Sequence, residues 1–415
     1  VSRPGSKDSQ FANHDSRGAL RACATELLWE KKEKMKKTLI ATAVLGSVTL
    51  SAHAQNSVTL YGLIDAGISY VNNARAGTGH GSLVKYDDGV ASGSRWGLRG
   101  TEDLGGGLKA IFVLESGFNS GNGTLGQGGA LFGRQAFVGV TKDNVGSFTL
   151  GRQYTFSTDY LGANYSTGAN TVAGNYAYHI NVIDQLTSSR INYAVKFSSA
   201  NFAGFTFGAL YGFSNSTSFA GAPAAGTTAG SSRAYSFGAN YAAGPFSIGA
   251  AYTDIHYPNQ STPAFTTNIS NVNPGTVRDL RTFGAGGRYV FGPATLWALY
   301  TNTRLEPLTG GSTTFTAYET GVKYAVTPAL TGGLGYTYLH LSDANTGHWN
   351  QFDASIDYAL SKRTDVYVLG IYQQASGHNT GTGDLQAQIG SSTSYFGTAG
   401  ANTQRAARVG LRHKF

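Results

Sequence analysis

The sequence predicts an all-β protein, a transmembrane antiparallel β-barrel of sixteen strands with short turns at one end and long loops at the other. Three observations carry this reading. Side chains alternate with strand period from residue 57 to the final residue, and short connections are interleaved with long ones. No apolar run after residue 54 approaches the roughly 20 residues that a membrane-crossing helix needs.

The chain is read from its start. Residues 1–34 show no strand alternation, hold Cys23, the single cysteine, and precede Met35, the single methionine. They are expected to be an extension from a misplaced start site or a short untranslated leader. From Met35, Lys36 and Lys37 are followed by an apolar run from Leu39 to Leu50 and then by Ala52-His53-Ala54. A basic start, a short apolar run and an A-x-A site make residues 35–54 a secretory signal peptide, cut between Ala54 and Gln55. The apolar run is too short for a membrane anchor. Residues 55–415 then form the barrel.

Alternation defines the strands. In "RINYAVKF", Ile191, Tyr193, Val195 and Phe197 share one face, with Arg190, Asn192, Ala194 and Lys196 on the other. The same period recurs in "FTFGALYGF", "PFSIGAAYT", "YETGVKYAV" and "QFDASIDYA". A soluble sandwich would also alternate, but three features favour a barrel. Short turns at 104–107, 143–147, 327–330 and 361–364 are interleaved with long Gly/Ser/Thr/Asn-rich stretches at 74–93, 216–232, 258–277 and 377–402. The polar faces suit a wet lumen. Tyr70, Tyr252, Tyr289, Tyr324 and Tyr358 recur near strand ends, where an aromatic girdle would sit.

The strands are expected near 57–72, 94–103, 108–119, 132–142, 148–156, 188–199, 205–215, 233–243, 245–257, 279–291, 294–305, 315–326, 331–342, 348–360, 365–376 and 406–415. A barrel of this size leaves an aqueous channel, whereas eight strands would be filled by side chains. The ending "RVGLRHKF" fits closure: Val409, Leu411 and Phe415 face lipid, Arg408, Arg412 and Lys414 face the pore, and pairing with "SVTLYGLIDAGISY" removes both sheet edges.

Composition excludes other classes. The net charge of +8 overstates the barrel, because nine Lys/Arg and five Asp/Glu lie in residues 1–54 and only +4 remains beyond them. That excess does not suggest nucleic acid. Without cysteine there, neither disulfides nor thiolate metal sites can form. The seven histidines after residue 54 show no metal or nucleophile spacing, and "GAGGRY" and "GQGG" lack a strand-to-helix context for nucleotides. The reading is therefore not an enzyme, with no cofactor and no metal.

Long ordered blocks carry a resemblance: "SVTLYGLIDAGISYVNN", "SGSRWGLRGTEDLGGGLKAIFVLESGFN", "LFGRQAFVGV", "GSFTLGRQY" and "VGLRHKF". Across residues 57–415 the chain resembles the general porins of Gram-negative bacteria, in particular the beta-proteobacterial group that includes Burkholderia, Bordetella and Delftia. The resemblance implies an outer-membrane homotrimer that passively passes small hydrophilic solutes and ions. It implies outer-membrane lipid and lipopolysaccharide as surroundings, and periplasmic chaperones and the barrel assembly machinery as partners. The terminal strand, with Val409, Leu411 and Phe415, would be the assembly address, although Phe415 also reads simply as a girdle aromatic.

The family folds its third long loop into the lumen; here that loop is about 157–187, too long to be idle in a compact domain. Matched motif to motif, its arginine ladder falls on Arg95, Arg134 and Arg190, with Arg99 one lumen position from Arg95. Glu115 matches a wall carboxylate. Asp159 and Asp184 are the loop's acids, and Asp65 is a further candidate on the acidic side. The loop lacks a "PEFG"-like acidic segment, and Leu63 stands where some members place lysine. A guanidinium stays charged at any working pH, and a basic ring favours anions. The expectation is an anion-preferring constriction. Alternatives remain: arginines braced by Glu115, Asp65 or loop carbonyls and hence weak selectivity, or outer loops that also serve as adhesin or receptor.

Overall fold

The computed structural model describes residues 57–76, 79–178, 183–187, 189–213, 233–256, 277–307, 309–379, 383–391 and 395–415. The leader 1–34, the signal segment with Ala54 and Gln55, loop 216–232 and all of 258–277 but its last residue lie outside the described residues.

The strands are β1 Ser57–Ala76, β2 Gly79–Asp88, β3 Arg95–Gly105, β4 Leu108–Gly117, β5 Gln135–Lys142, β6 Gly146–Tyr154, β7 Arg190–Ser199, β8 Phe205–Gly212, β9 Arg233–Ala243 and β10 Phe246–His256. They continue with β11 Val277–Phe291, β12 Ala294–Pro307, β13 Thr313–Ala325, β14 Leu330–Asp343, β15 Gly347–Ala359, β16 Thr364–Ser376, the short hairpin β17 His378–Asn379 and β18 Gly383–Asp384, and β19 Thr403–Lys414. Apart from that hairpin, they form a single 17-stranded sheet closed by β1 against β19. Along its other edge β1 pairs first with β3, Ser57↔Thr101 to Leu63↔Arg95, and then with β2, Ala66↔Asp88 to Ala76↔Gly79. β2 and β3 thus share one place, and the barrel has sixteen strand positions.

Local chemistry makes the short turns. Thr327 Oγ1 accepts from Ala329 N and Leu330 N at 3.2 and 3.0 Å, and Ser361 Oγ accepts from Arg363 N and Thr364 N at 3.1 and 3.0 Å. Asn144 adopts φ +61°, a conformation its short polar side chain tolerates. Closure is completed at the terminus, where Phe415 and Gly62 exchange both backbone hydrogen bonds at 3.0 Å.

The faces follow the alternation through most of the wall. On β15, Phe352 and Ile356 are 52% and 57% exposed, whereas Asp353 and Ser355 are 3% and 8%. Tyr70, Tyr289, Tyr324 and Tyr358 are exposed on the outer face.

Three expectations are corrected. Residues 74–93 are not a long loop: β1 runs on to Ala76 and pairs antiparallel with β2, whose Leu83, Val84 and Tyr86 are exposed. The glycines of "AGTGHGS" masked this hairpin in the sequence. Second, Ile191 does not share the outer face with Tyr193. Gln153 pairs Ile191 and Gly151 pairs Ala194, so Asn192 and Tyr193 together oppose Arg152 in a bulge. Tyr193 takes φ +48° and stays outside, while Ile191 packs against buried lumen clusters. Third, the lumen is not uniformly polar. At the long-loop end of β11 to β15, Leu280, Leu305, Phe315, Leu339, Leu341 and Trp349 point inward and pack with Leu385 from the last connection. Each such burial is worth about 1.5–3 kcal/mol, so this end of β11 to β15 holds an apolar core.

Candidate pore constriction

The connection from β6 to β7 enters the barrel as helical turns at Ser157–Gly162, Ala163–Tyr165, Thr167–Asn170 and Gly174–Ala177. Ser166 starts the third turn, its Oγ accepting from Ala169 N at 3.1 Å. The loop is tied across the lumen at several points. Phe156 N donates to Ser236 Oγ at 2.9 Å and Ser157 Oγ bonds Thr253 Oγ1 at 2.8 Å. Trp297 Nε1 donates to Thr167 Oγ1 at 3.2 Å, and Thr167 N donates to Glu319. Tyr176 reaches the opposite wall, bonding Ser69 Oγ at 2.8 Å and donating to Asp87. Burial, with the Asp87 carboxylate beside it, pushes the Tyr176 hydroxyl far above its ordinary pKa, so it remains a donor.

The wall receives the loop on glycines. Gly208 and Gly238 lie beneath Phe156, and a Cβ at Gly286 would stand 2.6 Å from Tyr165 Cβ. Gly174 takes φ +50° with its Cβ position 2.1 Å from the Val90 carbonyl, so no larger residue fits there. The last long connection covers the loop: Tyr395 packs edge-on and Phe396 tilted against the Tyr176 ring, with centroids at 5.3 and 4.9 Å, and Ser391 N donates to the Asn175 carbonyl at 2.7 Å.

Between loop and wall lies a cavity of about 790 Å³, lined on the wall by Arg95, Glu115, Arg134, Arg190 and Arg412. Its loop side is mostly small and uncharged, with Ala163, Gly168, Ala169 and Thr171. Glu115 holds two of the arginines, Arg134 Nε at 2.7 Å and Arg95 Nε at 3.8 Å, and accepts from the Tyr61 hydroxyl at 3.0 Å. Arg190 lies over the Tyr154 ring at 4.7 Å and donates from Nη2 to its hydroxyl at 2.9 Å. Asp159 lines the cavity too, but Lys196 of β7 pairs with it while donating to the Tyr154 carbonyl at 2.8 Å. The charged lining therefore comprises Arg95, Arg134, Arg190 and Arg412 against Asp88, Glu115 and Asp159.

Three residues expected at the constriction lie elsewhere. Arg99 is exposed, toward the short-turn end, stacked on Tyr61 at 5.4 Å. Asp184 is 3% exposed and accepts from Thr301 Oγ1 at 3.1 Å, behind the loop. Asp65 is fully buried in the wall, accepting from Tyr367 and from Ser92 N at 2.8 Å, with Arg408 Nη2 at 3.5 Å. Loop docking and the wall network, not alternation, decide these placements. Lys196 and Arg412 were visible as inward basic positions. Their partners, Asp159 and Asp365, were not, because each pair joins elements 37 or 47 residues apart.

Comparison with known proteins decides the family. The profile of Gram-negative porins matches residues 41–380. The chain belongs to the Gram-negative porin family. This porin is 31% identical to an outer membrane porin protein of Bordetella pertussis, over 81% of the chain and 94% of the relative. It is 32% identical to outer membrane porin protein 32 of Delftia acidovorans, over 92% of the chain and 100% of the relative. Among solved structures it is similar to an anion-selective porin from Comamonas acidovorans, with TM-score 0.67, 26% identity and coverage of 87% of this chain and 100% of that one. The trimer form of OmpT from Vibrio cholerae, at 17% identity and TM-score 0.59, shares the fold. This porin is an outer-membrane protein and a channel for passive diffusion, not an enzyme.

Proposed function

We propose that this porin prefers anions and that the selectivity resides in the cavity beside loop 157–187. The observation that carries the reading is the charge arrangement: four arginines line the wall, and of the three acids that line the cavity with them, Glu115 and Asp159 are each held by a basic side chain. A fixed basic field in a narrow passage attracts anions and repels cations. The similarity to the anion-selective porin of Comamonas acidovorans supports it. Arg95, Arg134 and Arg190 form the basic wall, Glu115 trims its charge, and Asp159 is neutralised by Lys196. Arg99, Asp184 and Asp65 have structural or secondary roles. The deciding experiment is the zero-current potential of the protein in a planar bilayer under a potassium chloride gradient. Chloride preference supports the reading, and potassium preference at low salt refutes it.

Residues 35–54 act as a signal peptide cut after Ala54, which N-terminal sequencing beginning at Gln55 would support. The strand bearing Val409, Leu411 and Phe415 addresses the chain to periplasmic chaperones and the barrel assembly machinery. The mature protein is a homotrimer surrounded by lipopolysaccharide.

A further inference from the structure

A second cavity, of about 400 Å³, lies below the loop at the short-turn end of the barrel. Its lining carries Lys323, Arg412 and Lys414 against one carboxylate, Asp357. Three residues border both this cavity and the larger one: Ala169 and Thr171 of the loop, and Arg412 of β19. The two cavities therefore adjoin at two small uncharged loop residues and one guanidinium.

Arg412 is held at that junction from two sides. Its Nε donates to Asp365 Oδ2 of β16 at 3.2 Å and its Nη1 donates to Ser92 Oγ at 3.1 Å. The arginine and the aspartate side chains are 13% and 10% exposed. The pair is therefore fixed in position yet reachable from the passage, and a guanidinium presents more donors than two acceptors consume.

We infer that Arg412 is a specificity-determining residue of the pore. It hands permeating anions from the constriction to a second anion station formed with Lys323 and Lys414, and Asp365 sets how much of its charge the ion experiences. This rests on the proposed anion preference and extends it beyond the loop. The station suits a small oxyanion such as inorganic phosphate, since three cations surround a space large enough for it and a single lining acid opposes them.

The test uses the full barrel purified from outer membranes and measured as single channels, so that only folded protein is read. Arg412→Gln should lower the chloride-to-potassium permeability ratio several-fold, and Asp365→Asn should raise it. Arg412→Lys, which keeps the charge, should stay within about twofold of the parent. Inorganic phosphate added on the short-turn side should reduce chloride current, and Lys323→Gln should weaken that block several-fold. A merely bracing ion pair predicts that removing either partner disturbs the channel alike. Shifts of the same sign for Arg412→Gln and Asp365→Asn, or none in either, would overturn the inference. If Arg412→Gln yields no channels, the sign of the Asp365→Asn shift and the Lys323→Gln phosphate block decide it. The parent's own zero-current potential tests the broader anion reading separately, because the opposed shifts are measured relative to that parent.

Discussion

Replacing Arg190 with glutamine removes one charge from the constriction, where the guanidinium lies over the Tyr154 ring and donates to its hydroxyl. For an ion passing about 5 Å away in water-like surroundings, a unit charge is worth about 0.8 kcal/mol. The charge acts with opposite sign on chloride and potassium, so the permeability ratio responds to about twice that energy. With a Debye length of about 8 Å at 0.15 M salt, screening roughly halves the effect, to about a fourfold change in the ratio. At 0.01 M the Debye length is about 30 Å and the change should approach about tenfold. Arg99→Gln is the internal control, because Arg99 lies outside the cavity, stacked on Tyr61. The assay is the zero-current potential in potassium chloride gradients at both ionic strengths. Equal shifts from the two substitutions, or no salt dependence for Arg190→Gln, would refute the argument that cavity charge sets selectivity.

Other expectations follow from the packing. Gly286→Val should push Tyr165 off the wall, an overpacking worth about 1–3 kcal/mol that lifting the loop relieves. Single-channel conductance should then rise, and conductance equal to the parent's would show that the loop is not seated there. Deleting Phe415 removes its paired hydrogen bonds to Gly62 and the ring that covers it. Folded barrel in outer-membrane fractions should fall while signal cleavage continues, and a normal folded yield would sink the role. Cysteine at 190, in the cavity, should react with a water-soluble thiol reagent, whereas cysteine at 193, on the outer face, should react only with a lipid-soluble one. Equal labelling by the water-soluble reagent would place the bulge at Asn192–Tyr193 incorrectly.

The alternation of side chains, with the interleaving of short turns and long loops, was enough to determine the barrel, the number of strand positions and the face on which most residues lie. Strand period is a local property, and a closed sheet in lipid has no alternative partner for its edges. It placed Lys196, Arg408 and Arg412 inward and Val409 and Leu411 outward, as the structure has them. Motif matching also selected Arg95, Arg134, Arg190 and Glu115, which converge on one cavity because β3 to β7 are consecutive in the sheet.

Only the tertiary structure decided which charges are neutralised and which face the passage. Asp65 and Asp184 read as lumen acids in the sequence, yet the first is absorbed by Tyr367 and Arg408 and the second by Thr301. Asp159 is paired by Lys196, which is close only because the loop folds back on the strand that follows it. The meeting of Ala169, Thr171 and Arg412 needs both barrel closure and loop docking, which join residues more than 240 positions apart. Electrostatic energy depends on distance and burial, and neither quantity is carried by the period of a strand.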